Sequence, residues 1–134
     1  MKVLQFAFDA AGTSSYLPHC HGENCICYTG THDNATLRQW LDEASQEDLT
    51  FAREYLALTN VEGYAWGVIR GGMSTVAWLF MAQMQDYLEL GGTARMNFPG
   101  TLSSNNWTWR AGKDFISESL TKRIYETTRR YGRL

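Results

Sequence analysis

Three short, nearly continuous apolar runs constrain the fold more than any other feature of this sequence. They are VLQFAF (Val3–Phe8), CICYTG (Cys25–Gly30) and TVAWLFMAQ (Thr75–Gln83). Runs of apolar residues without strict alternation are typical of strands that are buried on both faces, as in parallel sheets covered by helices. The segments between the runs are long enough for helical crossovers. The sequence therefore predicts an α/β fold with a parallel sheet.

Apolar residues at helical spacing follow the second run and close the chain. We expect one helix within residues 34–44, a second that begins at a capping box of Ser45 and Asp48, and a third over residues 65–73. A last amphipathic helix is predicted from about Ser117, with three residues able to face inward: Leu120, Ile124 and Tyr131.

The chain is long enough for one domain with a real core, since it has 134 residues. Three strands that are buried on both faces nevertheless cannot enclose a core alone, because their edges and faces need partners. The first apolar run also begins only two residues after Met1. We therefore expect residues 1–134 to form a single partial domain, and Met1 not to be a natural start.

Charge and cysteine content exclude several classes of protein. The formal net charge is −2, so nothing predicts a nucleic-acid or anionic-membrane partner. The longest apolar run, VAWLFMA, is too short to span a membrane, and no signal-peptide cleavage site follows the N-terminus. Three clustered cysteines do not make a disulfide framework. These observations predict a cytoplasmic protein without a membrane partner.

The second apolar run ends in Thr-His-Asp-Asn, which delivers His32 and Asp33 at the carboxyl end of a predicted strand. Parallel α/β proteins place catalytic and binding groups at this position. From spacing alone, Asp33 has an alternative role as the cap of a helix that starts near Ala35, and Asn34 would serve that role equally well.

Five blocks of sequence, in order, carry a resemblance to a known family. They are VLQFAF, LPH, YTGTHDN, LGGTARMNFPGT and NWTWR, from about residue 3 to residue 110. Together they resemble the C-terminal part of the 4-α-glucanotransferases, also called amylomaltases or disproportionating enzymes (glycoside hydrolase family 77). The resemblance implies the last strands and helices of a TIM (β/α)₈ barrel, incomplete in this chain, because whole barrels need about 250 residues.

The resemblance also implies an activity and its acidic residues. The family transfers α-1,4-glucan segments between maltooligosaccharides, starch or glycogen, with retention through a covalent glucosyl-enzyme and without a cofactor. Asp33 matches the carboxylate that stabilises the transition state, and His32 is placed to donate to the same sugar. The nucleophile and the acid/base lie upstream in the family, so we expect this chain alone to be inactive. Its expected partners are the glucan and the missing N-terminal part of the barrel.

Further residues of the matching blocks are candidates for sugar binding. Asn97 is predicted to hydrogen-bond sugar hydroxyls, and His19 either lies near the sugar or only pins its loop. Trp107 and Trp109 either stack on a glucose ring or wedge the loop onto the barrel, and the structural role is favoured. Gln85 and Asp86, which follow the third run, are further candidates at the rim of the site, and Asp86 has an alternative role as a helix cap.

Two alternatives to an enzyme fragment stay open at this point. One is a shortened, catalytically inactive paralogue that kept its sugar contacts. The other is a metal-binding protein that uses the histidines and cysteines between residues 19 and 27. The spacing of that cluster matches none of the common zinc patterns, and Cys25 and Cys27 point to the same face of a strand. We therefore predict no metal site.

Overall fold

A computed structural model describes all residues from 1 to 134 and contains one parallel sheet. Its strands are β1 (Lys2–Val3), β2 (Ile26–Tyr28) and β3 (Leu79–Met81), in the order β1-β2-β3. Both neighbouring pairs run parallel, so the carboxyl ends of all three strands lie at the same edge. The predicted α/β class with a parallel sheet is confirmed.

The first apolar run does not form the strand predicted over Val3–Phe8. Only Lys2–Val3 is strand, and the chain then enters a 3₁₀ turn over Leu4–Phe6. Leu4 and Ala7 are nonetheless completely buried. The prediction was wrong because a short buried run has the same apolar pattern whether it is extended or helical.

The chain also forms five α-helices and two further 3₁₀ turns, at Pro18–Cys20 and Gly92–Ala94. In chain order, the helices are α1 (Leu37–Glu43), α2 (Gln46–Leu56), α3 (Tyr64–Met73), α4 (Met84–Tyr87) and α5 (Glu118–Arg130). None of them is both long and apolar enough to cross a lipid bilayer.

Side-chain caps set the starts of three helices. The Ser45 side chain accepts a hydrogen bond from the N–H of Asp48, and Ser117 accepts one from Leu120, so both predicted starts are confirmed. Helix α1 is capped by Thr36, three residues after Asp33 and two after Asn34. The alternative role of Asp33 as a helix cap is therefore wrong.

Helix α3 lies at the centre of the core. Its residues Val68 and Ile69 are completely buried, and α1, α2, α4 and α5 all contact it. The inward residues predicted for α5 pack against this core. The arrangement covers one face of the sheet with helices.

The other face of the third strand is open, although the sequence predicted burial on both faces. Phe80 packs against the core, whereas Leu79 and Met81 are 39% and 47% exposed. Just before the strand, Trp78 is 80% exposed. The apolar residues that predicted double burial are present, but residues 1–134 supply no second layer to cover them.

Candidate functional site

Asp33 lies in a tight turn over residues 31–34, separated by two residues from the end of β2, at the carboxyl edge of the sheet. The Asn34 side chain holds this turn, because its Oδ1 accepts hydrogen bonds from the Thr31 N–H at 2.9 Å and the Thr31 hydroxyl at 2.8 Å. The Asp33 side chain is 48% exposed. The turn therefore presents a carboxylate to solvent from a fixed main chain.

A distant loop, residues 91–110, supplies two partners to this turn. The Asn97 amide donates to Asp33 Oδ1 at 2.7 Å, as expected for a residue of the same site. Arg95 donates to the Asp33 carbonyl oxygen at 2.6 Å and to the Asn97 carbonyl oxygen at 2.9 Å. Arg95 thus ties the two main chains together and orients both side chains.

His32 and Trp107 form the other side of the site. His32 Nε2 lies 3.4 Å from Asp33 Oδ1, and the His32 ring lies 4.9 Å from the Trp107 ring at an angle of 41°. Trp107 has a positive φ of 64°, and its N–H donates to the Met96 carbonyl oxygen at 2.7 Å. The indole stays 56% exposed, so it contacts the imidazole and still presents apolar surface to solvent.

A depression of about 560 Å³ opens beside these groups and is lined by His32 and Asp33 together with residues at the ends of β2 and β3. Asp33 Oδ1 is used within the chain, whereas Oδ2 has no hydrogen-bond partner. A free carboxylate oxygen accepts hydrogen bonds from hydroxyl groups, and an imidazole and an amide donate them. The arrangement can therefore bind a polyhydroxylated ligand next to an aromatic ring.

Asp86 and Gln85 are buried and do not lie at the rim of the site, so that prediction was wrong. Asp86 is completely buried and accepts hydrogen bonds from the Thr29 hydroxyl at 2.6 Å and from the Leu37 N–H at 2.7 Å. Burial raises the pKa of the Asp86 carboxyl, and these hydrogen bonds oppose the rise. Asp86 lies inside α4, which begins after Gln83, so it does not cap that helix. Its carboxylate instead joins Thr29, which follows β2, to the first residue of α1.

His19 and Trp109 do not line the depression beside Asp33. His19 Nδ1 lies 2.8 Å from the Tyr55 hydroxyl, and the two rings also contact each other, which pins the loop before β2 to α2. Trp109 lines a second depression, on the side of the loop that faces Gln39. A sugar contact of His19 stays a prediction.

The histidines and cysteines of residues 19–27 point in different directions. His21 Nε2 lies 2.9 Å from the Tyr16 carbonyl oxygen, and burial lowers the pKa of its imidazole. Cys27 is buried in the core, and burial raises the pKa of its thiol to about 12. Cys25 donates to the Gly22 carbonyl oxygen. No three of these side chains converge on a point where a metal ion could be held.

Sequence reasoning missed the role of Arg95. It is the one cation of the block LGGTARMNFPGT, two residues before Asn97. A single arginine inside a long polar loop could have indicated a residue that holds the loop in place, because its guanidinium can donate to several main-chain oxygens at once. Its partner Asp33 lies 62 residues away, so the contact itself was not readable from sequence.

The fold and the site together define an α/β unit that carries part of a ligand-binding site at the carboxyl edge of a parallel sheet. The sequence profile of the 4-α-glucanotransferase family, glycoside hydrolase family 77, matches residues 1–114. The 4-α-glucanotransferase of Clostridium butyricum is 50% identical over 99% of this chain and 27% of its own length. That of Thermus thermophilus is 43% identical over 82% of this chain and 23% of its own length.

A similar solved structure is the amylomaltase from Streptococcus agalactiae in complex with acarbose. It matches 99% of this chain with a TM-score of 0.95 and 34% identity. The chain belongs to the 4-α-glucanotransferase family, as the motifs predicted. It spans about a quarter of the length of these relatives.

Proposed function

We propose that residues 1–134 form the C-terminal part of a TIM barrel that transfers α-1,4-glucan segments between maltooligosaccharides with retention. In this proposal Asp33 is the carboxylate that stabilises the transition state. The nucleophile and the acid/base belong to the part of the barrel outside these residues. The chain alone is then inactive, and its partners are that missing part and the glucan.

The proposal rests on the hydrogen bonding and exposure of the Asp33 carboxylate. One oxygen is held by Asn97, and the other is free and faces solvent beside His32. A carboxylate fixed in this way can accept hydrogen bonds from sugar hydroxyls. Such bonds strengthen as the reacting ring flattens and gains positive charge, so they favour the transition state over the ground state.

The open face of the sheet supports the barrel part of the proposal. Leu79 and Met81 expose apolar side chains on β3, whose second edge is unpaired. Further strands paired at this edge would remove the exposed edge, and their closure into a barrel would cover both side chains with those of the other strands. The solved amylomaltase that matches this chain is likewise about four times as long.

A cytoplasmic site of action is the last element of the proposal. All three cysteines are free, and Cys27 lies in the core, where a thiol behaves as a small apolar group. Free cysteines are typical of reducing compartments.

The proposal is tested in a chimera of the Clostridium butyricum relative, in which these 134 residues replace the segment that they match. We expect the chimera to release glucose from maltotriose as it transfers glucan. Asp33→Asn should lower kcat by a factor of about 100 or more, because the neutral amide no longer stabilises positive charge on the sugar.

Asp42→Asn is the matched control, because Asp42 is an exposed carboxylate on α1 that pairs with Arg38. It should leave kcat and KM unchanged. Transfer by the chimera that survives Asp33→Asn would refute the assigned role of Asp33. Transfer by residues 1–134 alone would refute the view that the nucleophile and the acid/base are supplied from elsewhere.

A further inference from the structure

Three buried polar atoms in the structure have no hydrogen-bond partner: His21 Nδ1, Gln39 Oε1 and Gln83 Nε2. Leaving such an atom unpaired costs free energy, so each of them needs an explanation. Only Gln83 lines the depression that also contains Asp33 and His32. The unpaired amide of Gln83 therefore lies in the wall of the candidate site.

The main chain of Gln83 is held without help from its side chain. Gln83 follows β3 at the carboxyl edge of the sheet and stands at the start of α4. Its carbonyl oxygen accepts a hydrogen bond from the Asp86 N–H at 3.0 Å, whereas its side chain caps nothing. The fold thus fixes where this amide lies and gives its N–H groups no structural partner.

The space for the amide comes from Gly30, which directly precedes the turn that carries Asp33. A Cβ at residue 30 would lie 3.1 Å from Gln83 Nε2 and 2.6 Å from Gln5 Nε2. The side-chain amide of Gln5 has a hydrogen-bond partner, because it donates to the Ala35 carbonyl oxygen at 2.8 Å. The glycine thus lets two amides pack against the main chain of the site, and only Gln83 has no partner.

We propose that Gln83 is a substrate-binding residue that donates a hydrogen bond to a hydroxyl of the glucose unit bound at Asp33. Rotation about the soft terminal torsion of the side chain exchanges the positions of Nε2 and Oε1, so Nε2 can turn from Gly30 toward the depression. A bound sugar hydroxyl then supplies the acceptor that the protein lacks. This inference rests on the proposed function and names one more contact in the same site.

The test compares kinetics and stability in the chimera. Gln83→Met keeps the length of the side chain and removes its hydrogen-bonding groups. We expect KM for maltotriose to rise about tenfold with kcat within about twofold, as for an interaction made equally in the ground state and the transition state. The thermal midpoint should stay the same or rise, because an unpaired buried amide is replaced by an apolar group.

Gln46→Met is the matched control, since Gln46 is an exposed glutamine at the start of α2. It should change neither KM nor kcat. An unchanged KM in Gln83→Met would overturn the inference, and so would a clear fall in its thermal midpoint, which would mean that the amide has a structural partner. Asp33→Asn in the same chimera reports on the proposed function separately, because its effect falls on kcat.

Discussion

At the scale of single residues, Asp33 and Asp86 have different roles because their surroundings in the fold differ. Asp33 is half exposed, with one oxygen held by Asn97 and the other free. Asp86 is completely buried, and both its oxygens accept hydrogen bonds from the protein. Both follow an apolar run in the sequence, so the local sequence pattern does not distinguish their roles. Only the partners supplied by distant segments make one a candidate ligand-binding group and the other a structural group.

Removal of the Asp86 carboxylate should destabilise the fold. In Asp86→Ala, the Leu37 N–H and the Thr29 hydroxyl lose their acceptor inside the protein, and we expect a loss of about 2–4 kcal/mol. Asp86→Asn should cost less, because the amide oxygen still accepts from Leu37 and the Thr29 hydroxyl can turn to accept from the amide. Thermal unfolding of the chimera measures both. Equal losses in the two variants would contradict this account.

At the scale of elements, helix α3 packs closely because it carries glycines on its inner faces. Without a Cβ at Gly71 and Gly72, Leu56 of α2 and Phe80 of β3 approach the helix axis. Each glycine inside a helix costs about 1 kcal/mol relative to alanine. These two glycines lower the intrinsic stability of the helix, and they let its neighbours pack closely against it.

Gly72→Ala should therefore destabilise the protein, although alanine is the better helix former. The new Cβ would overlap the Phe80 ring and lie 3.0 Å from Leu4 Cδ1. We expect overpacking to cost about 1–3 kcal/mol, which equals or exceeds the gain of about 1 kcal/mol in helix propensity. The thermal midpoint of the chimera should fall. Gly112→Ala is the control, because nothing lies within 4 Å of a Cβ at that position. A higher midpoint in Gly72→Ala would show that the ring moves aside freely.

At the scale of the whole molecule, the sheet has a helix-covered face and an open face. On the open face, Leu79 and Met81 are 39% and 47% exposed, and just before β3 the side chains of Val76 and Trp78 are 60% and 80% exposed. The strands that carry the sheet are only two or three residues long. So short a sheet with an uncovered apolar face depends on further layers for its stability.

Residues 1–134 expressed alone should accordingly behave as a molten, poorly soluble chain. We expect retained far-UV circular dichroism, weak near-UV signals and binding of a dye specific for exposed apolar surface. The chimera, in which the rest of a relative is present, should unfold cooperatively under the same conditions. A cooperative thermal transition of monomeric residues 1–134 would contradict this prediction.

The sequence alone determined the class of fold, the helices with strong local caps and the residues of the THDN turn. These depend on interactions between near neighbours, such as Ser45 with Asp48, or on motifs that keep their order along the chain. It also predicted Asn97 as a site residue. It did not predict the length of the first strand, because apolar burial looks the same in a strand and in a tight helical turn.

Only the tertiary structure decided which of these residues meet. Asn97 reaches Asp33 across 64 positions, Arg95 across 62, and Asp86 reaches Thr29 across 57. These contacts form because parallel strands bring their carboxyl ends to one edge and the following loops fold over it. Contacts between residues so far apart along the chain produce no periodic pattern in the sequence. The packing of the sheet and its loops therefore decided that Asp33 is presented, Asp86 is buried and Gln83 is left without a partner.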